Sequence, residues 1–236
     1  MSVSDRDAPD DRDPADGSAN RRPLNRRGPM QPKLLGWFGK IPSLGDFVTR
    51  RLPLSFVQRW DNWLASEIYD AQELLAGGWP EVYLAGPLWC FELAPGTVDA
   101  DRWRGVMLPS VDRVGRRFPL CISASGDADP ANAVRWWAAM ADAACCARDP
   151  DCDAQGLDHA LEANFEAHER APNELPGDWT AMDAMIEAGL ASGSLWWKWP
   201  EGALSAPPPA FVVAGLPHGA DFLRMFLQGP LVTADE

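Results

Sequence analysis

The chain has 236 residues, 46% of them apolar and 23% charged, which is a globular composition of single-domain size. Its 21 lysines and arginines face 34 aspartates and glutamates, a net charge of −13, so nucleic acid is excluded as a general partner and any anion-binding surface must be a local patch. Twelve tryptophans belong in a core or a protein interface, and 22 prolines with 20 glycines exclude a coiled coil.

Residues 1–32 hold six acids, six arginines and almost no large apolar side chain. They cannot offset their ordering entropy and read as a disordered leader. One folded domain is expected over residues 33–236, and it carries the whole −13. Within it, Asp127 to Asp183 contains 13 acids but only Arg135, Arg148 and Arg170 as bases, so one half of the molecule is acidic. Cys90, Cys121, Cys145, Cys146 and Cys152 include no Cys-x-x-Cys pair and read as buried free thiols in a reducing compartment. No apolar run approaches the ~20 residues that span a bilayer, which predicts a cytoplasmic protein.

In chain order, Leu34 to Phe38 reads as a short buried strand that stops at Gly39. Pro53 then opens one long amphipathic helix, in which Phe56, Val57, Trp60, Trp63, Leu64, Leu74 and Leu75 recur at helical spacing up to Gly77 and Gly78. Three strand-like stretches follow at Val82–Leu93, Trp103–Leu108 and Phe118–Ala124. Helices are expected over Pro130–Ala147, capped by Asp129, and over Asp153–Arg170, capped by Asp153. Leu195–Trp199 and Phe211–Ala214 read as further strands and His218–Leu227 as a last helix. Consecutive strands with short connections pair antiparallel, so the expected fold is α+β: a single domain with an antiparallel or mixed central sheet of about five strands flanked by helices.

Catalytic signatures are sparse. His159, His168 and His218 lie far from any Gly-x-Ser-x-Gly elbow. His159, Glu162 and Glu166 share one face of a predicted helix and could ligate a metal, although the same face also suits solvent. Gly39 to Phe47 follows the first strand but lacks the phosphate-loop pattern, because Lys40 comes directly after the first glycine. It reads as a tight turn in which Ser43 and Asp46 bond loop backbone. Pro109 to Pro119 gathers Arg113, Arg116 and Arg117 around Asp112, the one notable basic patch of the folded part. Guanidinium forks beside Phe118 suit a carboxylate, a phosphate or an acidic protein surface. Asp46 needs partners that this block could supply, so the two loops are expected to meet, with Asp46 facing Arg113 or Arg116.

Three blocks of residues carry a family resemblance. Gly36 to Ser43 with Gly45-Asp46-Phe47-Val48, followed by Leu52-Pro53, Phe56, Trp60-Asp61 and Trp63-Leu64, resembles the opening of the TagF family of type VI secretion accessory proteins. Pro109 to Arg116 with Phe118-Pro119-Leu120 resembles its second block. Ser194-Leu195-Trp196-Trp197 with Gly215-Leu216-Pro217 and Phe222 resembles its third. The resemblance implies a cytoplasmic, non-enzymatic negative regulator of type VI secretion that acts after translation by binding a forkhead-associated scaffold protein, with no cofactor. The candidate interaction residues from these blocks are Lys40, Ser43, Gly45, Asp46, Asp61, Ser110, Asp112, Arg113, Gly115, Arg116, Ser194 and Trp196. The rival reading is a hydrolase or ligand-binding enzyme that uses Asp46, Asp61, Asp112 and Arg113, provided that the fold brings these carboxylates into one cleft.

Overall fold

A computed structural model describes residues 34–126, 130–170, 180–200 and 208–227. The leader expected over residues 1–32 and the helix cap expected at Asp129 lie outside them. Among the described residues, β1 (Leu34–Gly39), β2 (Val48–Arg50), β3 (Trp89–Leu93), β4 (Trp103–Leu108), β5 (Leu120–Ser125), β6 (Ser194–Lys198) and β7 (Ala210–Val213) form one sheet in the order β2-β1-β5-β4-β3-β6-β7. Every neighbouring pair is antiparallel. The helices are α1 (Leu54–Leu75), α2 (Trp79–Leu84), α3 (Pro130–Cys146), α4 (Ala154–Arg170), α5 (Thr180–Ser192) and the four-residue α6 (Ala220–Leu223).

The α+β class holds, and both faces of the sheet are covered. Alternate residues of each strand therefore feed separate cores, which makes β3, β4 and β5 buried along their whole length. On one face Trp37, Val106, Ile122, Leu195 and Trp197 pack against Trp136, Trp137 and Met140 of α3, Leu157 and Leu161 of α4, and Ile186 of α5. On the other face Phe91, Trp103, Met107 and Trp196 meet the α1 stripe of Phe56, Trp60, Trp63, Leu64 and Ile68, together with Trp79 and Tyr83 of α2 and the C-terminal Phe222 and Phe226. Trp60 is fully buried, with its ring centroid 5.3 Å from that of Phe56, 4.8 Å from Trp63 and 5.0 Å from Phe91.

Several expectations need correction. Among the described residues the sheet has seven strands rather than about five: the six stretches read as strands each contribute one, and β2 is a further three-residue edge pairing that carries no hydrophobic period of its own. Val82–Leu93 is not one strand. Its first part belongs to α2, which starts beside Pro80 and buries Trp79 and Tyr83 one turn apart, and β3 begins only at Trp89. The strand expected from Phe118 starts at Leu120, and the helix expected over His218–Leu227 shrinks to α6 followed by turns. Helix α5 was not expected. Asp153 does cap α4, accepting the Gly156 N–H at 2.7 Å.

Cys90 and Cys121 are buried, and burial pushes their thiols well up. Cys145 and Cys146, which end α3, are exposed, and Cys152, in the turn before α4, is half-buried. His159, Glu162 and Glu166 are exposed, and among the described residues no group of three His, Cys, Asp or Glu side chains is placed to hold a metal ion. Among the same residues no helix is long and apolar enough to cross a membrane.

Candidate functional site

β1 delivers the first loop and β4 the second, and the two fuse into one platform. Gly39, which ends β1, has φ +138°, and a Cβ there would lie 2.1 Å from the Pro119 carbonyl oxygen, so the backbones of the two loops can touch only at glycine. Just beyond, Ser110 Oγ donates to the Lys40 carbonyl at 2.7 Å. The Tyr83 hydroxyl donates to the Ser110 carbonyl and accepts the Ser110 N–H, both at 2.9 Å. The Arg113 N–H donates to the Leu44 carbonyl at 2.8 Å, and Ser43 Oγ donates to the Cys152 carbonyl at 2.7 Å, which ties the first loop to the α3–α4 turn.

Asp112 is the centre of the platform. It is 2% exposed, and its Oδ2 accepts Lys40 Nζ at 2.6 Å and Arg116 Nε at 2.7 Å. Its Oδ1 accepts the backbone N–H of Val114 at 3.1 Å and of Arg116 at 2.9 Å, closing the tip of the second loop, where Gly115 takes φ +84°. Burial alone would raise the Asp112 carboxyl, but the donors from Lys40, Arg116 and Val114 hold it well below the usual carboxylate range. The Arg116 guanidinium also donates to the Gly45 carbonyl. Lys40 is buried as well, and its ammonium stands 4.2 Å from the Phe47 ring centroid.

The buried tie fixes an outward-facing surface. Arg113, Arg116 and Arg117 are exposed around Val114, 68% exposed, and Phe47, 43% exposed. Phe47 is in turn wedged against Phe38 and Phe118, with centroids at 5.7 and 4.8 Å. Lys40, Ser43, Gly45, Ser110, Asp112, Arg113, Gly115 and Arg116 therefore come together as the sequence suggested. Asp46 sits on the same loop but does not face Arg113 or Arg116. Its Oδ1 accepts the neighbouring Phe47 N–H at 2.8 Å, because the acid that the arginine block requires is its own Asp112.

The remaining candidates lie elsewhere. Asp61 is half-buried on α1, where burial pushes its carboxyl up. Ser194 and Trp196 lock β6 to the segment after β7: the Trp196 indole N–H donates to Ser194 Oγ at 2.8 Å, and Ser194 Oγ donates to the Gly215 carbonyl.

Two further clusters escaped the sequence. Asp158 of α4 accepts the Trp37 indole N–H at 2.8 Å and the Arg51 guanidinium at 2.6 Å. Glu67, buried on α1, accepts from the His218 ring at 2.6 Å and from the Gly219 N–H at 2.8 Å. Beside His218 lies a cavity of ≈ 440 Å³ bordered by Arg59, Asn62, Trp63, Ser66 and Gly215. Asp46, Asp61, Asp112 and Arg113 do not line it.

Residues 36–164, more than half of the chain, match the family model of the TagF N-terminal domain, type VI secretion system-associated. The chain belongs to the TagF family. This TagF chain is also similar to the crystal structure of PA0076 from Pseudomonas aeruginosa PAO1, with 29% identity over 86% of this chain and 98% of that one and a TM-score of 0.61. No curated protein matches it. The matched segment contains both loops of the TagF platform, together with α1 and the sheet strands that position them.

Proposed function

We propose that this TagF protein is a cytoplasmic negative regulator of type VI secretion that acts after translation, without catalysis, by binding a forkhead-associated scaffold protein through the platform of the two fused loops. The observation that carries the proposal is the placement of three exposed arginines around an exposed Phe47 and Val114 in a chain of net charge −13. Arginine and aromatic side chains are the types enriched where protein interfaces concentrate their binding energy. The surface is also held in advance by Asp112 and Lys40, so little loop ordering remains to oppose association. An acidic patch on the scaffold is the complement that such a surface selects.

Two experiments in the native host test this. Overproduction is expected to stop secretion, and deletion to release it with unchanged transcript levels. A pulldown with the wild-type chain is expected to recover the scaffold, and one with Arg113→Glu is expected to lose it. Unaltered secretion in both strains would contradict the regulatory role. Scaffold recovered equally by Arg113→Glu but lost on charge reversal at Glu162 and Glu166 would move the contact to the acidic helices.

A further inference from the structure

The cavity beside His218 belongs to neither the platform nor the proposed partner contact, and its chemistry differs from that of the surrounding surface. Of its ten lining residues, one is arginine, one is histidine and none is a carboxylate, in a chain with 34 acids. Arg59 is exposed at its edge, Asn62 and Ser66 add an amide and a hydroxyl from the same helix, and Trp63 and Leu216 supply an apolar wall. A volume of ≈ 440 Å³ lies within the range of about 300–1,000 Å³ typical of small-molecule sites.

The imidazole is held for use rather than left to rotate. Both oxygens of the buried Glu67 act as acceptors, one from His218 Nδ1 and the other from the Gly219 N–H, so Nδ1 carries a proton and Nε2 is the ring's free position. The side chain of His218 is 67% exposed although its partner is buried. Nearby, the Asp99 carboxylate of the β3–β4 turn accepts the Ser55 hydroxyl, one turn before Arg59 on α1, at 3.0 Å. Glu67 and Arg59 come from α1, and the β3–β4 turn lines the cavity with only Gly96 and Thr97. On the far side of Gly219, Asp221 pairs with Arg224 at 3.4 Å.

We infer that this cavity binds a small molecule bearing an oxyanion group, a phosphoryl or a carboxylate, held between the Arg59 guanidinium and His218 Nε2, with its apolar part against Trp63 and Leu216. A neutral ring offers Nε2 only as an acceptor, which an anion does not satisfy. In the complex the ring donates from Nδ1 to the Glu67 carboxylate and from Nε2 to the ligand oxyanion, so that both hydrogen bonds are charge-assisted. Glu67 is a positioning residue in this scheme, since it touches the ring and not the ligand.

The test is calorimetric titration of the full chain with sulfate, a tetrahedral oxyanion that does not itself titrate near neutrality, and with acetate for the carboxylate arm. Each is run at neutral pH and fixed ionic strength, so that screening is the same for every variant. At least one anion is expected to bind saturably at one site, and the tighter of the two identifies the oxyanion class. Arg59→Ala and His218→Ala are each expected to weaken binding by about tenfold or more. Ser66→Glu, which places a like charge in the cavity without touching the Glu67–His218 pair, is expected to block binding. No saturable binding of either anion would overturn the inference. So would binding that Arg59→Ala and Ser66→Glu leave unchanged.

Discussion

Asp112 and Glu67 are both buried carboxylates bonded to a basic side chain and to backbone N–H groups, yet they serve opposite ends. Asp112 has donors on both oxygens from two loops, and its basic partner Lys40 is itself buried. It is consumed in holding a surface whose working groups, Arg113 and Arg117, lie outside its own hydrogen bonds. Glu67 instead orients a mostly exposed ring at the edge of a hollow. Burial of a carboxylate therefore does not by itself mark a reactive site. The exposure of the basic partner separates a structural tie from a group left available.

The largest effect is expected where both partners are buried. Asp112→Ala leaves Lys40 uncompensated and opens the loop tip, and it is expected to cost about 3–5 kcal/mol by urea denaturation. The pH dependence has a definite sign. The folded-state value of Asp112 lies below the unfolded value of about 3.9, so its contribution is fully present above that pH and is lost as pH falls through the folded value. The stability gap between the native chain and Asp112→Asn is thus expected to stay constant from neutrality to about pH 5 and to close below about pH 4. A gap that widens on acidification would show that Asp112 is not ionised in the folded chain.

Glu67→Ala removes two hydrogen bonds but strands no buried cation, since the His218 side chain is 67% exposed. Its expected cost is smaller, about 1.5–3 kcal/mol. A cost equal to that of Asp112→Ala would erase the distinction between tie and hollow. Ser194→Ala is expected to cost about 1–2 kcal/mol by leaving the buried Trp196 indole N–H without its acceptor. Arg113→Glu, on the exposed side of the platform, is expected to change stability by no more than about 0.5 kcal/mol.

Much of this was legible in residue patterns, and the rest was not for physical reasons. The α1 stripe announced its buried face through tryptophan at helical spacing, and the glycine-bearing loops announced a tight approach. Strand limits were harder to read because a sheet covered on both faces shows continuous apolar runs, not alternation, so Val82 and Tyr83 of α2 merged with β3. Helix α5, Thr180–Ser192, is rich in alanine and has little polar contrast between its faces. Asp46 and Asp112 are both acids within loops, and spacing cannot tell which one turns inward. Lys40 did not settle it, because the acid in its own turn is Asp46 while the one it bonds, Asp112, lies 72 positions away. The Glu67–His218 pair spans 151 positions and fits no motif. Its one trace is that Glu67 falls on the apolar stripe of α1, one turn beyond Trp63, where a carboxylate needs a partner from elsewhere.

The claim that the platform is the regulatory contact is tested most directly by the affinity of the purified forkhead-associated scaffold for the native chain and for Arg113→Glu, measured by calorimetry at two ionic strengths. The complex is expected to weaken by about tenfold or more on Arg113→Glu at unchanged thermal stability. The native complex is also expected to weaken as salt shortens the screening length below about 8 Å. Equal affinity for both chains at both salt concentrations would contradict it.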